Sequence, residues 1–155
     1  MYTILMDVNK SLITPKKITI YQGENLIDTL RFIIPKQYNN IDISEYSVLL
    51  NYILPGNVKC NETLKKIEEE YSDTHNAYTL SVNSNFTTFA GDITLSLLIS
   101  KTDKENKIKY QLLTGDLTIT IKPRELFYGT NTSGGITPTP PDPSEGDDEF
   151  DVVEF

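Results

Sequence analysis

Short segments in which apolar and polar residues alternate recur along the first three quarters of the chain. Alternation with a period of two is typical of a β-strand that has one buried face. The segments are 17–21, 26–34, 47–54, 76–82, 93–99, 107–113 and 117–121. A further apolar run at 2–8 is interpreted as an edge strand. Turn residues separate the segments about every 8–14 positions, and this spacing predicts a sandwich or a small barrel.

Segment 58–71 is ambiguous. Leu64, Ile67 and Tyr71 are spaced as on one face of a helix, but the segment is short and has strands on both sides. We expect a strand followed by a charged loop or a single helical turn. Long amphipathic helices do not separate the strands, and this excludes a parallel α/β fold.

Together the pattern predicts an all-β fold, an immunoglobulin-like antiparallel β-sandwich of seven or eight strands over residues 1–129. Pro55-Gly56-Asn57 and Thr114-Gly115-Asp116 are expected to be turns between strands. The predicted core consists of Ile20, Leu30, Phe32, Leu50, Tyr52, Leu80, Ile93, Leu95, Leu97, Leu117, Ile119 and Ile121.

The composition changes after residue 129. Residues 130–146 are rich in Gly and Pro and are expected to form a linker, with 134–143 as an extended spacer of about 30 Å. The net charge is −8, and residues 130–155 hold seven acidic residues and no Lys or Arg. Residues 1–129 therefore hold 15 acidic residues and all 14 basic ones. Such a balanced body lacks the clustered basic face that nucleic-acid binding needs.

The last nine residues, 147–155, combine acidic residues with apolar ones. Phe150, Val152, Val153 and Phe155 are interleaved with acids such as Asp151. A tail that only keeps the protein soluble has no use for two Phe and two Val, although a solvating end remains the alternative. We expect 147–155 to be a docking peptide that binds a neighbouring subunit as a strand or in a groove. Phe150 and Phe155 would anchor it, and the acids would meet basic residues.

Candidate catalytic residues are few. The only histidine, His75, lies in a polar stretch that is expected to be an exposed loop, and the only cysteine, Cys60, cannot form an internal disulfide. Neither has neighbours typical of a nucleophile or a general base. Zinc-ligand spacing, a calcium loop and a phosphate-binding loop are also missing from the sequence. We predict no enzymatic activity, no metal and no cofactor.

The sequence also bears on the compartment. A single cysteine fits a protein made in a reducing cytoplasm. The apolar runs are shorter than the ~18 residues of a membrane span. The N-terminus reaches Asp7 without a basic region, so we expect no signal peptide. Glycosylation patterns at Asn61, Asn85 and Asn131 are therefore interpreted as chance.

Six phrases occur in order along residues 1–129. They are ITIYQGE at 18–24, DTLRFIIP at 28–35, IDIS at 41–44, LPGN at 54–57, FAGDITL at 89–95 and LTGDLTITI at 113–121. This ordered set resembles the immunoglobulin-like virion domains of tailed phages of Firmicutes, the class typified by the N-terminal domain of the phage baseplate upper protein. The resemblance implies a structural component of a phage particle that is assembled in the host cytoplasm. It also implies other virion proteins as partners and copies of the chain repeated in the particle. From the charge and the short apolar runs given above, we expect neither nucleic acid nor a membrane as a partner.

The end of the sequence departs from that class. Its members continue into long helical or receptor-binding regions, whereas here a short acidic tail follows. We therefore expect an accessory, adaptor or decoration component, in the capsid, the tail or the baseplate. The alternative is a sandwich domain that binds carbohydrate or a receptor on the host surface.

Overall fold

The computed structural model describes residues 1–125, and every regular element in that range is a β-strand. The strands are β1 (Tyr2–Met6), β2 (Leu12–Ile13), β3 (Ile20–Tyr21), β4 (Thr29–Pro35), β5 (Gln37–Tyr38), β6 (Ile41–Asp42), β7 (Ser47–Leu54), β8 (Val58–Thr63), β9 (Lys65–Lys66), β10 (His75–Ser81), β11 (Gly91–Thr102), β12 (Ile108–Leu113) and β13 (Leu117–Lys122). Met1–Pro123 forms one compact unit. Within residues 1–125, no helix is long and apolar enough to cross a membrane.

The strands form two sheets and one small hairpin. Sheet I has the order β2-β1-β4-β10-β9. Sheet II has the order β3-β13-β11-β7-β8, and β12 also pairs with β11. Inward side chains of both sheets belong to one hydrophobic cluster, so the fold is a β-sandwich. The predicted all-β sandwich is confirmed. Of the strands, eight have five or more residues, and the others are pairs of residues.

The pairing is not antiparallel throughout. β1 runs parallel to β4, and β3 runs parallel to β13. β1 also lies between β2 and β4, so the prediction of an edge strand at 2–8 was wrong. The side chain of Asp7 explains this position, since its Oδ1 accepts the N–H groups of Asn9 and Ser11. That turn brings the chain back as β2 along the outer side of β1.

β11 and β7 carry the centre of sheet II. Ile93, Leu95, Leu97 and Ile99 alternate along β11 and are fully buried, while the residues between them face outwards. β7 shows the same alternation, and Leu50 pairs with Leu97. Burying each such side chain stabilises the fold by about 1.5–3 kcal/mol.

Most of the predicted core is confirmed. Ten of the twelve residues are buried, whereas Leu80 and Leu117 are only partly buried and pack against the core. The prediction omitted Ile4, Phe86 and Leu64, which the structure buries. Leu64 lies between β8 and β9, and its N–H donates to the carbonyl of Val48, after which the chain enters sheet I as β9. Segment 58–71 is thus a strand that changes sheets and continues as a loop, without a helical turn.

β12 and β13 follow one another along the same edge of β11, separated by a kink at Thr114–Asp116. Thr114 Oγ1 accepts the N–H of Leu97 at 2.8 Å, and the N–H of Gly115 donates to the carbonyl of Lys10 at 2.8 Å. The kink therefore connects sheet II to the turn between β1 and β2.

We expect Thr114→Val to lower the free energy of unfolding by about 1–3 kcal/mol, because it leaves the N–H of Leu97 without an acceptor in a buried place. Thr118→Val, on an exposed position of β13, is the matched control. Urea unfolding of both variants measures the difference. Equal stabilities would show that the kink does not depend on this hydrogen bond.

Candidate protein-interaction site

The hairpin between β11 and β12 is held in one conformation by Asp103. Its Oδ1 accepts the N–H groups of Glu105 at 2.9 Å and of Lys107 at 3.0 Å. Its own N–H donates to the carbonyl of Lys107. A register shift between Lys101 and Thr102 marks a bulge where the hairpin begins. Thr102 is the last residue of β11, and the polar residues after it form the loop.

An aromatic row lies at the base of this hairpin. Lys101 pairs with Tyr110, and the ring of Tyr46 stacks on that of Tyr110 with centroids 6.3 Å apart. Lys101 Nζ lies 6.0 Å from the centroid of Tyr46, and Lys109 Nζ lies 5.4 Å from that of Tyr110. The side chain of Tyr110 is 47% exposed. Aromatic rings with an apolar body and a polar tip are enriched at protein interfaces.

The turn before β7 fixes Tyr46. Ile43 is buried beneath it, and the N–H of Tyr46 donates to the Ile43 carbonyl. The carbonyl of Ser44 accepts Lys66 Nζ at 2.8 Å. Hydrogen bonds from the side chain and backbone of Ser44 lower the pKa of Asp42, so this carboxylate stays charged and holds the turn.

The hairpin carries more basic than acidic residues. Four of its residues are lysines and two are acids. The lysines are Lys101, Lys104, Lys107 and Lys109, and the acids are Asp103 and Glu105. Asp103 is occupied by the turn, and Glu105 lies 3.7 Å from Lys107. Among residues 1–125 no strand pairs with the outer edge of β12. Unpaired strand edges present backbone donors and acceptors to a second chain.

The outer face of sheet II is a second candidate surface. Leu49, Leu98 and Leu113 are neighbours across β7, β11 and β12, and Leu113 is 52% exposed. The next row is Ser96, Asn51 and Asn61. This central part of the face is uncharged, so another protein could cover it without burying a charge.

A third surface lies where loops 22–28 and 83–90 run side by side. The N–H of Gly23 donates to the Thr87 carbonyl, and Thr87 Oγ1 donates to the Glu24 carbonyl. These hydrogen bonds fix Leu26 and Ile27, which are 63% and 82% exposed. Leu26 has a φ of 61°, a left-handed conformation that costs a leucine about 1–2 kcal/mol. Strain of this kind is typical of functional sites.

A polar network anchors that loop pair to the sandwich. The hydroxyl of Tyr52 donates to Glu62 Oε2 at 2.6 Å, and Asn83 Nδ2 donates to Glu62 Oε1 at 3.2 Å. Burial, and then the hydrogen bond to Glu62, raise the pKa of Tyr52 above its ordinary value. The phenol therefore stays protonated and keeps the donor role that the network needs.

The two candidate reactive residues lie in strands. Cys60 is half-buried in β8, opposite Tyr52. His75 begins β10 and is half-buried, so the expected exposed loop was wrong there. Thr74 Oγ1 lies 2.8 Å from its Nδ1. Within residues 1–125, no three His, Cys, Asp or Glu residues come together as metal ligands would.

The predicted tail site lies outside the described residues. This applies to Phe150, Asp151, Val152, Val153 and Phe155, and also to the linker at 130–146. The sequence reasoning did not identify the aromatic row. The sequence signal for this site is the presence of four lysines within the nine residues 101–109.

Comparison with known proteins adds little to this picture. No protein-family model matches the sequence, and no curated protein matches it. Among solved structures, the fold is similar to one described as the N-terminal domain of phage TP901-1 ORF48, with a TM-score of 0.48 and 9% sequence identity. That match covers 78% of this chain and 95% of the other.

Proposed function

We propose that this protein is a non-enzymatic structural component of a tailed-phage virion that binds neighbouring virion proteins. The proposal rests on the ordered set of phrases that resembles the phage immunoglobulin-like virion domains. DTLRFIIP covers β4, LPGN forms the turn after β7, and LTGDLTITI spans the kink before β13. These three phrases thus fall on strands and turns of the sandwich.

The described surfaces support a role in binding proteins. The free edge of β12 and the uncharged face of sheet II adjoin at Leu113. The strained loop at Leu26 is a separate surface, bonded to Val82 just beyond β10. A subunit that is repeated in a particle needs more than one contact surface, because each copy meets several neighbours. In this proposal the sandwich provides attachment and residues 147–155 provide a second contact, as an accessory, adaptor or decoration component would.

Mass spectrometry of purified particles tests the proposal. The protein should be present in stoichiometric amounts in particles made by a host that carries its gene. Its absence from particles, with the protein present in the lysate, would contradict the proposal.

The tail has its own test in the same particles. Deleting residues 147–155, or changing Phe150 and Phe155 to Ala, should reduce incorporation. Changing Thr137 and Thr139 in the linker to Ala is the matched control and should not. Normal incorporation of both tail variants would place attachment on the sandwich alone.

The exposed tyrosines favour one alternative function. Tyr21, Tyr71 and Tyr110 are each about half exposed, and aromatic faces are suited to stacking on sugar rings. In the alternative, the domain binds carbohydrate on the host surface. Glycan-array binding that is lost in Tyr110→Ala would favour it over the structural role.

A further inference from the structure

We infer that residues 147–155 of one copy add as a strand to the outer edge of β12 on a second copy. The inference rests on the proposal that the tail is a docking peptide, but it does not depend on the virion role. It identifies both the receptor surface and the partner, a second copy of this chain.

The receptor surface is a strand edge of matching length. β12 has six residues and pairs with β11 on one side only among the described residues. An extended peptide that pairs with such an edge gains main-chain hydrogen bonds, and its alternate side chains contact both faces of the sheet. The nine residues of 147–155 are long enough to pair with the whole of β12.

Both the tail and β12 have apolar residues on two faces. In an extended tail, Phe150 and Val152 point to one side, whereas Val153 and Phe155 point to the other. If the tail lay flat on a surface, only one of these two pairs of side chains would contact that surface. β12 offers partners on each side, since Tyr110 and Leu112 share the inner face with Ile99, and Leu113 shares the outer face with Leu98. Strand addition at this edge is therefore the binding mode that uses all four apolar residues.

The charges of tail and hairpin are complementary. Residues 130–155 carry seven acids and no base. Lys101 and Lys109 lie against the rings of Tyr46 and Tyr110 beside the edge, so the apolar and basic features form one surface. The carboxylate of Asp103 repels the acidic tail only weakly, because it already accepts hydrogen bonds from two N–H groups of the hairpin. Complementary charges raise the association rate and make it depend on salt.

The path of the chain favours a second copy over its own tail. β12 and β13 run in the same direction along β11, so Pro123 leaves the sandwich at the end opposite the hairpin. The centre of β12 is about 12 residues back along these strands, a distance of about 40 Å. Residues 134–143, expected to be an extended spacer of about 30 Å, would carry the tail away from the sandwich beyond Pro123. To bind its own edge, the linker would have to reverse direction and run back along about 40 Å of the sandwich, whereas β12 of a second copy can be reached without that reversal.

Sedimentation velocity of the full-length protein tests the inference. We expect concentration-dependent self-association at low salt that weakens by about tenfold or more in high salt. Phe150→Ala with Phe155→Ala should abolish it, and so should Lys101→Glu with Lys109→Glu. The matched control is Lys16→Glu with Lys17→Glu, which reverses two exposed lysines between β2 and β3 and should associate normally. Melting temperatures of all variants verify that they are folded.

A charge exchange provides the decisive measurement. Asp148→Lys with Asp151→Lys should abolish association in the wild-type background and restore it when combined with Lys101→Glu and Lys109→Glu. A wild-type protein that stays monomeric at low salt would overturn the inference, as would association that survives both the Phe and the Lys variants. A protein absent from particles that still self-associates would contradict only the virion role. A monomer found in particles would contradict only the inference about β12.

Discussion

Replacing Phe86 by alanine should lower the free energy of unfolding by about 3–5 kcal/mol. The side chain is fully buried, and its ring lies 5.0 Å from that of Tyr52, centroid to centroid. Phe86 reaches the core from a loop, so its removal leaves a cavity and also loosens loop 83–90. Domains of this size have a total stability of about 5–15 kcal/mol, so we expect poor soluble expression at 37 °C.

Phe89→Ala is the matched control, because Phe89 lies in the same loop and is 50% exposed. It should change the free energy of unfolding by about 0.5 kcal/mol or less. Phe32→Ala and Leu97→Ala are both at fully buried positions. Each should lower the free energy of unfolding by about 2–5 kcal/mol, as other large-to-small changes in a core do. Urea unfolding of the four variants compares them. Equal losses for Phe86 and Phe89 would contradict the assigned burial.

Phe86 also shows where sequence reasoning reaches its limit. The strands were predictable because a period of two identifies the buried face of a regular element, as it does along β7 and β11. Phe86 lies among Asn, Ser and Thr residues in a loop, where no period exists. The pattern Asn85-Phe86-Thr87 suggested a glycosylation signal by chance. In the structure, Phe86 and Thr87 are both fully buried.

Leu80 and Leu117 show a second limit. Alternation assigns each to the inward face, which is correct, but it does not reveal how far the opposite sheet extends. Leu117 follows the kink at Thr114–Asp116, and Leu80 lies near the end of β10. Both are therefore only partly covered. Burial at the ends of strands depends on tertiary packing that no local pattern contains.

The aromatic row could not be predicted for a related reason. Tyr46 and Tyr110 are 64 residues apart, and the pairing of β7, β11 and β12 brings them together. A shift of one residue in either pairing would place the two rings on opposite faces. The sequence contains the residues of the site, but the register that assembles them is a property of the whole sheet.

Alkaline pH should destabilise the protein through its buried tyrosines. Burial raises the pKa of Tyr52 and of Tyr78 above the ordinary value of 10.0. Above pH 10 the unfolded chain releases these protons while the folded protein keeps them, so the unfolded state gains stability. The stability that the two phenols contribute is complete below pH 10. It is lost as the pH rises, by at most about 1.4 kcal/mol per pH unit for each.

Tyr52→Phe should therefore reduce the slope of the unfolding free energy against pH between about 10 and 12. The reduction should be at most the slope due to one proton, about 1.4 kcal/mol per pH unit. Near pH 8 the same variant should lose about 0.5–1.5 kcal/mol, because its hydrogen bond to Glu62 is gone. Glu62→Gln separates the causes, since it removes the negative charge and keeps an acceptor for the phenol. Burial is the larger cause of the raised pKa, so Glu62→Gln should retain most of the alkaline slope. A slope that falls as much in Glu62→Gln as in Tyr52→Phe would show that the charge of Glu62, and not burial, keeps this phenol protonated.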